Sequence, residues 1–405
     1  MKINQLLKVG LYNLVIVAIL GVIMRYKIGF ELPIVNQKNL QLAHSGFAFS
    51  GFISIVIMSL MVKTNLKWLS ASQIKFLESQ ISLSLFSAYI ACIALIFWGY
   101  GVFSVVFQVA GLLFNMLYII AFIKTLHQYP NKDTANWYKA AGIFFFISVF
   151  ASFWLIYMLF SGNKTQHSYL GATYWFLHFQ YNGWFFFACI GLFFQWLDQM
   201  NIDTKLNRTT FLYFAISCIP AYGLSALWLN LPVWMYVLVV ISAILQCIGV
   251  IKFFSIVFNK RVVNAIHQNP VVKLLFIFSF GALLVKILLQ MGSTIPFLSK
   301  LAFGFRPIVI AYLHLVLLAF TALFLIAYTH LTAGLNFSKA AILATKVFAI
   351  FVILNEIVLG VQGIASLSYQ VIPFVNEALL IIAGGMLFAS VVMMPSSQKI
   401  GQKLS

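Results

Sequence analysis

Long apolar runs, separated by short polar loops, are the feature that most constrains the fold of this 405-residue chain. Hydrophobic residues make up 63% of the sequence, charged residues make up 8%, and the mean hydropathy is +1.01. A soluble domain does not need so much apolar surface, whereas a helix that crosses a bilayer needs about 20 consecutive apolar residues. The composition therefore predicts an all-α integral membrane protein whose surface contacts the lipid bilayer.

Twelve runs are long enough to be counted as membrane spans, and no linker or change of composition divides them. We therefore predict one transmembrane domain, 1–405, of twelve helices. Prolines fall at or near several of the expected ends, where a helix tolerates them best. The predicted spans are 10–28, 40–62, 80–99, 102–123, 140–161, 169–196, 210–229, 233–257, 271–291, 307–329, 341–362 and 372–394.

The lysines and arginines predict the orientation of these spans, because cytoplasmic loops carry an excess of basic residues. If the N-terminus is cytoplasmic, 18 of the 25 basic residues lie on the inner side, six lie on the outer side, and Lys286 lies inside a span. We therefore expect a multi-pass protein of the bacterial cytoplasmic (inner) membrane with both termini in the cytoplasm. The net charge of +18 does not indicate nucleic-acid binding, because the basic residues are scattered through short loops and form no patch.

Three histidines lie early in the second, sixth and tenth spans: His44, His178 and His314. They are separated by 134 and 136 residues, and one third of the chain is 135 residues. This spacing predicts three quasi-equivalent groups of four helices, each with an imidazole at similar depth in the outer half of the bilayer. The sequence shows no strong residue-by-residue repeat, so the repetition is one of architecture.

An imidazole inside a membrane needs a partner, because an unsatisfied polar group in hydrocarbon costs several kcal/mol. The partner is either a carbonyl or hydroxyl group on a neighbouring helix or a metal, since imidazole is the commonest metal ligand. A haem held between two histidines of different helices would explain a matched set. A zinc or di-metal carboxylate site is disfavoured, because only Glu356 and Glu377 lie well inside spans and no H-E-x-x-H spacing occurs.

Twelve spans, cytoplasmic termini and histidines on helices 2, 6 and 10 resemble subunit I of the haem-copper oxidase superfamily. That superfamily includes the cytochrome c oxidases and the large subunit of nitric oxide reductases. His178-Phe-Gln-Tyr-Asn-Gly-Trp184 is similar to the helix-6 segment of nitric oxide reductases, His-x-x-x-Glu-Gly followed by an aromatic residue. His314-Leu-Val-Leu-Leu-Ala-Phe320 resembles the segment that begins at the second histidine of the helix-10 His-x-His pair, and Ala43-His44-Ser45 fits the helix-2 haem ligand.

The resemblance implies a low-spin haem b with His44 and His314 as its two axial ligands. It also implies that His178 is a metal ligand, the one member of the family's dinuclear-metal set that this chain keeps. The implied function is respiratory electron transfer or chemistry on a diatomic gas. An electron-donor subunit or cytochrome is the implied partner.

Departures from the family pattern leave the dinuclear site modified or degenerate. Tyr312 stands where the family has the ligand of the active-site haem, and Asn182 replaces the glutamate of the nitric oxide reductase motif. The family's two adjacent histidines on helix 7 are absent from 209–230. Tyr312 is a candidate ligand of a second haem iron or a hydrogen-bonded core tyrosine. A second haem or copper, enzymatic turnover and the catalytic residues therefore stay unassigned.

A transporter or channel without haem is the alternative interpretation. Its polar pathway would use the intramembrane polar residues His178, Asn182, Lys286, Glu356 and Glu377. The sequence lacks the paired interior glycines and prolines that mark the broken helices of many transporters. In a purely structural interpretation, Lys286 forms an ion pair with Glu356 or Glu377 between packed helices. An assembly partner without any cofactor is the third possibility.

Overall fold

A computed structural model describes residues 1–163, 165–202, 205–299, 305–332 and 334–395. Within these ranges the regular secondary structure is helical and no β-strand occurs. Ten helices there are long and apolar enough to cross a membrane. The prediction of an all-α, multi-pass membrane protein is thereby confirmed.

The main helices are numbered α1 to α12 in chain order. A short helix, Lys260–His267, joins α8 to α9. The bounds are α1 (Ile3–Gly29), α2 (Gln37–Thr64), α3 (Ala71–Trp98), α4 (Val102–Thr125), α5 (Lys132–Ser161), α6 (166–199), α7 (Asn207–Cys218), α8 (Val233–Val257), α9 (Pro270–Gly292), α10 (Arg306–Thr332), α11 (Lys339–Leu367) and α12 (Val375–Val392).

Helices α6 and α7 are the two that do not have both the length and the apolarity of a membrane span. Helix α6 is long, but its middle carries His178, Gln180 and Asn182. Helix α7 has 12 residues and ends just before Pro220, which cannot donate the hydrogen bond that would extend it. The chain continues there as the 3₁₀-helix Pro220–Ser225. The structure thus gives ten candidate spans, and the predicted total of twelve stays a prediction.

The three histidine-bearing helices α2, α6 and α10 form the centre of the bundle. Their C-terminal parts are buried without interruption over 51–62, 178–197 and 319–329. These parts pack against one another. The N-terminal parts of α6 and α10 are instead half-buried on every face, over 169–177 and 307–315. The centre is therefore densely packed in one half of the bundle and looser in the other half.

The densely packed half is the one that holds both ends of the described chain. The Ile3 amide donates to a Glu78 carboxylate oxygen at 2.6 Å, and Leu11, His330 and Met393 line one small cavity. We call this the terminal half and the opposite one the histidine half.

A buried glutamine on α6 links this helix to α2 and α5 in the terminal half. The Gln195 side chain on α6 accepts hydrogen bonds from Thr64 at 3.0 Å and Asn65 at 3.3 Å. It also accepts one from Tyr138 of α5, and its Nε2 donates to the Thr64 carbonyl at 3.1 Å. Because these polar groups satisfy one another, the dense packing leaves few of them without partners.

Candidate functional site

A π-helical segment follows each of the three predicted histidines. These wide turns are Ala48–Ile53 in α2, Phe179–Phe185 in α6 and Leu315–Ala322 in α10. Each marks the point where its helix passes from the histidine half into the dense core. Segments of this kind are rare and occur frequently at functional sites.

Each π segment also accepts a side-chain hydrogen bond on one of its carbonyl groups. Asn13 of α1 donates to Gly51 at 2.5 Å, and Ser279 of α9 donates to Phe320 at 2.8 Å. The thiol of Cys218 on α7 lies 3.8 Å from the carbonyl oxygen of Asn182 on α6. A wide turn misaligns the regular backbone bonds, and the neighbouring helix supplies the missing donor in each case.

The His44 imidazole is oriented by helix α1. Its Nδ1 lies 3.0 Å from the Val17 carbonyl oxygen. A carbonyl group only accepts, so Nδ1 carries the proton and Nε2 carries a lone pair. A Cβ atom on Gly21 would lie 3.4 Å from the ring, so this glycine gives the imidazole room against α1. The ring is half-buried, and within the described ranges Nε2 has no hydrogen-bonding partner.

The His314 imidazole has the same tautomer, but its hydrogen-bond acceptor lies on its own helix. Its Nδ1 donates to the Ile310 carbonyl one turn earlier on α10, at 2.9 Å. Its Nε2 lone pair likewise meets no donor from the residues whose positions are described. Metal-binding histidines usually donate the other ring N–H in this way, which fixes the ring and makes the free nitrogen more basic.

The two half-buried imidazoles share one region of the histidine half. His44 interacts electrostatically with His314, and Arg25 of α1 interacts with both rings. Arg306, at the start of α10, donates to the Gln41 side chain of α2 at 2.8 Å. That bond links the start of α10 to α2 one turn before His44. The similar depth predicted for the two histidines stays a prediction.

Tyr312 faces away from this region. Two residues of α-helix turn a side chain through about 200°, so Tyr312 and His314 lie on opposite faces of α10. The Tyr312 ring packs edge-on against Tyr181 of α6 with 6.2 Å between centroids, and the two side chains are hydrogen-bonded. Its proposed role as an iron ligand stays a prediction, and these contacts are those of a core tyrosine.

The His178 imidazole is fully buried, and both of its nitrogens are engaged by protein groups. Nε2 donates to the Cys218 carbonyl at 2.8 Å, and Nδ1 accepts from the Asn182 amide at 3.0 Å. The Cys218 carbonyl is available because the next turn is tight: the Tyr222 N–H bonds to Ile219 instead. Pro220 is the sequence signal for that turn. His178 would have to release one of these bonds to bind a metal.

The ion pair expected between Lys286 and a glutamate does not form among the described residues. Lys286 is 3% exposed and its ammonium lies 5.3 Å from the centre of the Phe186 ring on α6. Glu356, on α11, accepts a hydrogen bond from Asn355 at 3.2 Å, and Glu377 is exposed at the start of α12. Among the described residues Lys286 therefore makes no ion pair, and its side chain lies against Phe186 of α6.

The described part of the chain contains no group of three or more His, Cys, Asp and Glu side chains placed to hold a metal ion. A haem with two axial histidines does not require such a group. Comparison with protein-family models and with curated proteins finds no match for this sequence.

Proposed function

We propose that this chain is a haem-binding membrane protein related to subunit I of the haem-copper oxidases, with a low-spin haem b between His44 and His314. The observation that carries the proposal is the shared tautomer of these two histidines. Each donates Nδ1–H to a backbone carbonyl and keeps an unpartnered Nε2 lone pair in the same half-buried region. That is the state in which imidazole binds iron.

The surroundings of the two histidines fit such a group. Helices α2 and α10 pack together in the terminal half, whereas Arg306–Gln41 is a side-chain bridge between their outer parts. Arg25 interacts with both imidazoles and would balance the negative charge of haem propionates. When bound, a haem with two histidine ligands supplies reversible transfer of one electron.

The proposed architecture is that of twelve spans in three groups of four, with both termini in the cytoplasm of a bacterium. The three π segments support it, because they repeat the same irregularity on α2, α6 and α10 just after each histidine. Respiratory electron transfer, or diatomic-gas chemistry at a modified second site, is the activity that this architecture favours. An electron-donor subunit or cytochrome would be the partner.

An absorption spectrum of the purified full-length chain tests the proposal. We expect a low-spin b-type spectrum with about one haem per chain, and loss of that spectrum in His44→Ala and His314→Ala. His330→Ala is the matched control, because His330 also lies on α10 but its ring stacks on Phe337 at 3.8 Å. A colourless wild-type protein, or a spectrum that survives both substitutions, would reject the proposal.

A transporter or channel is the second candidate, and the burial of Lys286 without an ion-pair partner among the described residues is the observation that favours it. It predicts a colourless protein whose transport activity depends on Lys286. Flux of a labelled solute in proteoliposomes, compared between the wild type and Lys286→Met, separates this candidate from the haem proposal.

A further inference from the structure

The Lys286 side chain is a buried amine for which the described chain provides no hydrogen-bond acceptor and no carboxylate. Its ammonium position lies over the Phe186 ring, 5.3 Å from the ring centre. It interacts electrostatically with Cys218 and His178. Only 3% of its surface is exposed.

The region around Lys286 also contains a hydrogen-bond acceptor that has no donor. The Oδ1 atom of Asn182 is buried and has no hydrogen-bonding partner from any described residue. The Nδ2 atom of the same side chain is already used by His178, and the backbone oxygen of Asn182 accepts from the Cys218 thiol. We call Lys286, Phe186, Cys218, Asn182 and His178 the lysine site.

A protonated Lys286 would have no counter-charge in the described part of the protein. His178 is neutral, because its Nδ1 accepts a hydrogen bond while Nε2 donates one. Glu356, the acidic residue of the neighbouring helix α11, does not interact with Lys286. An uncompensated ammonium in a low-dielectric interior costs several kcal/mol, and a desolvated cation–π contact offsets about 2 kcal/mol of that.

We propose that the lysine site binds one small monovalent anion, which pairs with the Lys286 ammonium between α6, α7 and α9. Because Lys286 is almost fully enclosed, only a small ion could lie against its amine. A water molecule bound beside the anion would donate to Asn182 Oδ1, the remaining unsatisfied acceptor. This site uses neither His44 nor His314, so it is independent of the proposed haem.

Infrared spectroscopy with azide as the probe tests the lysine site in the full-length protein. Azide bound next to an ammonium gives a stretching band that is shifted from that of free azide, and its titration gives the affinity. We expect Lys286→Arg to keep the band, because the cation remains. Lys286→Met should bind at least tenfold more weakly, and Lys286→Gln, also uncharged, gives the same comparison if the methionine variant does not fold.

The controls separate this site from the haem and from other cations. Lys273→Met, on the same helix, should bind azide as the wild type does. Azide at the lysine site should leave the visible haem spectrum unchanged, whereas azide bound to iron would change it. Azide should also bind at the lysine site in the haem-free His314→Ala variant. Binding that is absent from the wild type, or that is unchanged in both uncharged Lys286 variants, would overturn the proposal.

Discussion

At the scale of single residues, the positions of hydrogen-bonding partners distinguish three histidines that look equivalent in the sequence. His44 and His314 each use one ring nitrogen, whereas His178 uses both. The resemblance to the oxidases assigns all three to metals. The first two keep an unpartnered ring nitrogen that the proposed haem would use, whereas the third is a buried residue whose two ring nitrogens are both bonded.

His178→Leu tests this distinction. The substitution leaves the Asn182 amide and the Cys218 carbonyl without their partners, so we expect the free energy of unfolding to fall by about 2–4 kcal/mol. Thermal melting measures the loss, and the haem content per chain should not change. Loss of haem without a change in melting temperature would instead identify His178 as an iron ligand.

The sequence locates the residues of this site but not their hydrogen-bonding states. His44, His314 and Tyr312 can be picked out because polar groups are rare in apolar runs. The tautomer of His44 depends on Val17, a backbone group of another helix, which no local pattern reveals. The ion pair of Lys286 is expected from charge alone, and it fails because the direction of a side chain depends on helix rotation.

At the scale of helices, the three π segments set the rotation of one half of each central helix relative to its other half. One additional residue per wide turn rotates the N-terminal part of the helix relative to the C-terminal part. The apolar composition of Leu315–Ala322 has no feature that distinguishes it from an ordinary α-helix, so the sequence does not predict it. The end of α7 at Cys218, by contrast, is explained directly by Pro220.

Deletion of Ser50, within Ala48–Ile53, tests the role of these segments. We expect the shortened α2 to become a regular α-helix, so that the chain still folds but His44 turns away from His314. The deletion should therefore yield a monodisperse protein with little haem, as judged by size-exclusion chromatography and absorption. Deletion of Phe86, an exposed residue of the regular helix α3, should reduce the folded yield more strongly. Equal damage from both deletions would contradict this role.

At the scale of the whole molecule, composition alone predicts the helical class and the multi-pass architecture, because a membrane requires long apolar helices. The number of spans is less firmly determined. Helix α6 is polar in its middle and α7 is short, and both carry groups that bond to His178. The mean hydropathy of a helix therefore falls where the helix carries buried polar groups such as these.

Cysteine labelling on intact cells tests the orientation. Val371 is 91% exposed in the loop between α11 and α12, beside the start of α10, where Tyr369 contacts Phe305. With cytoplasmic termini, Val371→Cys should react with a membrane-impermeant maleimide. Lys67→Cys, just after α2 in the terminal half, should react only after the cells are permeabilised. The reverse pattern would place both termini outside.

The packing of α2, α6 and α10 closes one half of the bundle. Buried side chains fill 51–62, 178–197 and 319–329 without interruption, and the Gln195 bonds lie at that end of the bundle. If the proposed haem is bound between His44 and His314, its electron donor would have to approach from the histidine half, because the core separates the two histidines from the opposite face.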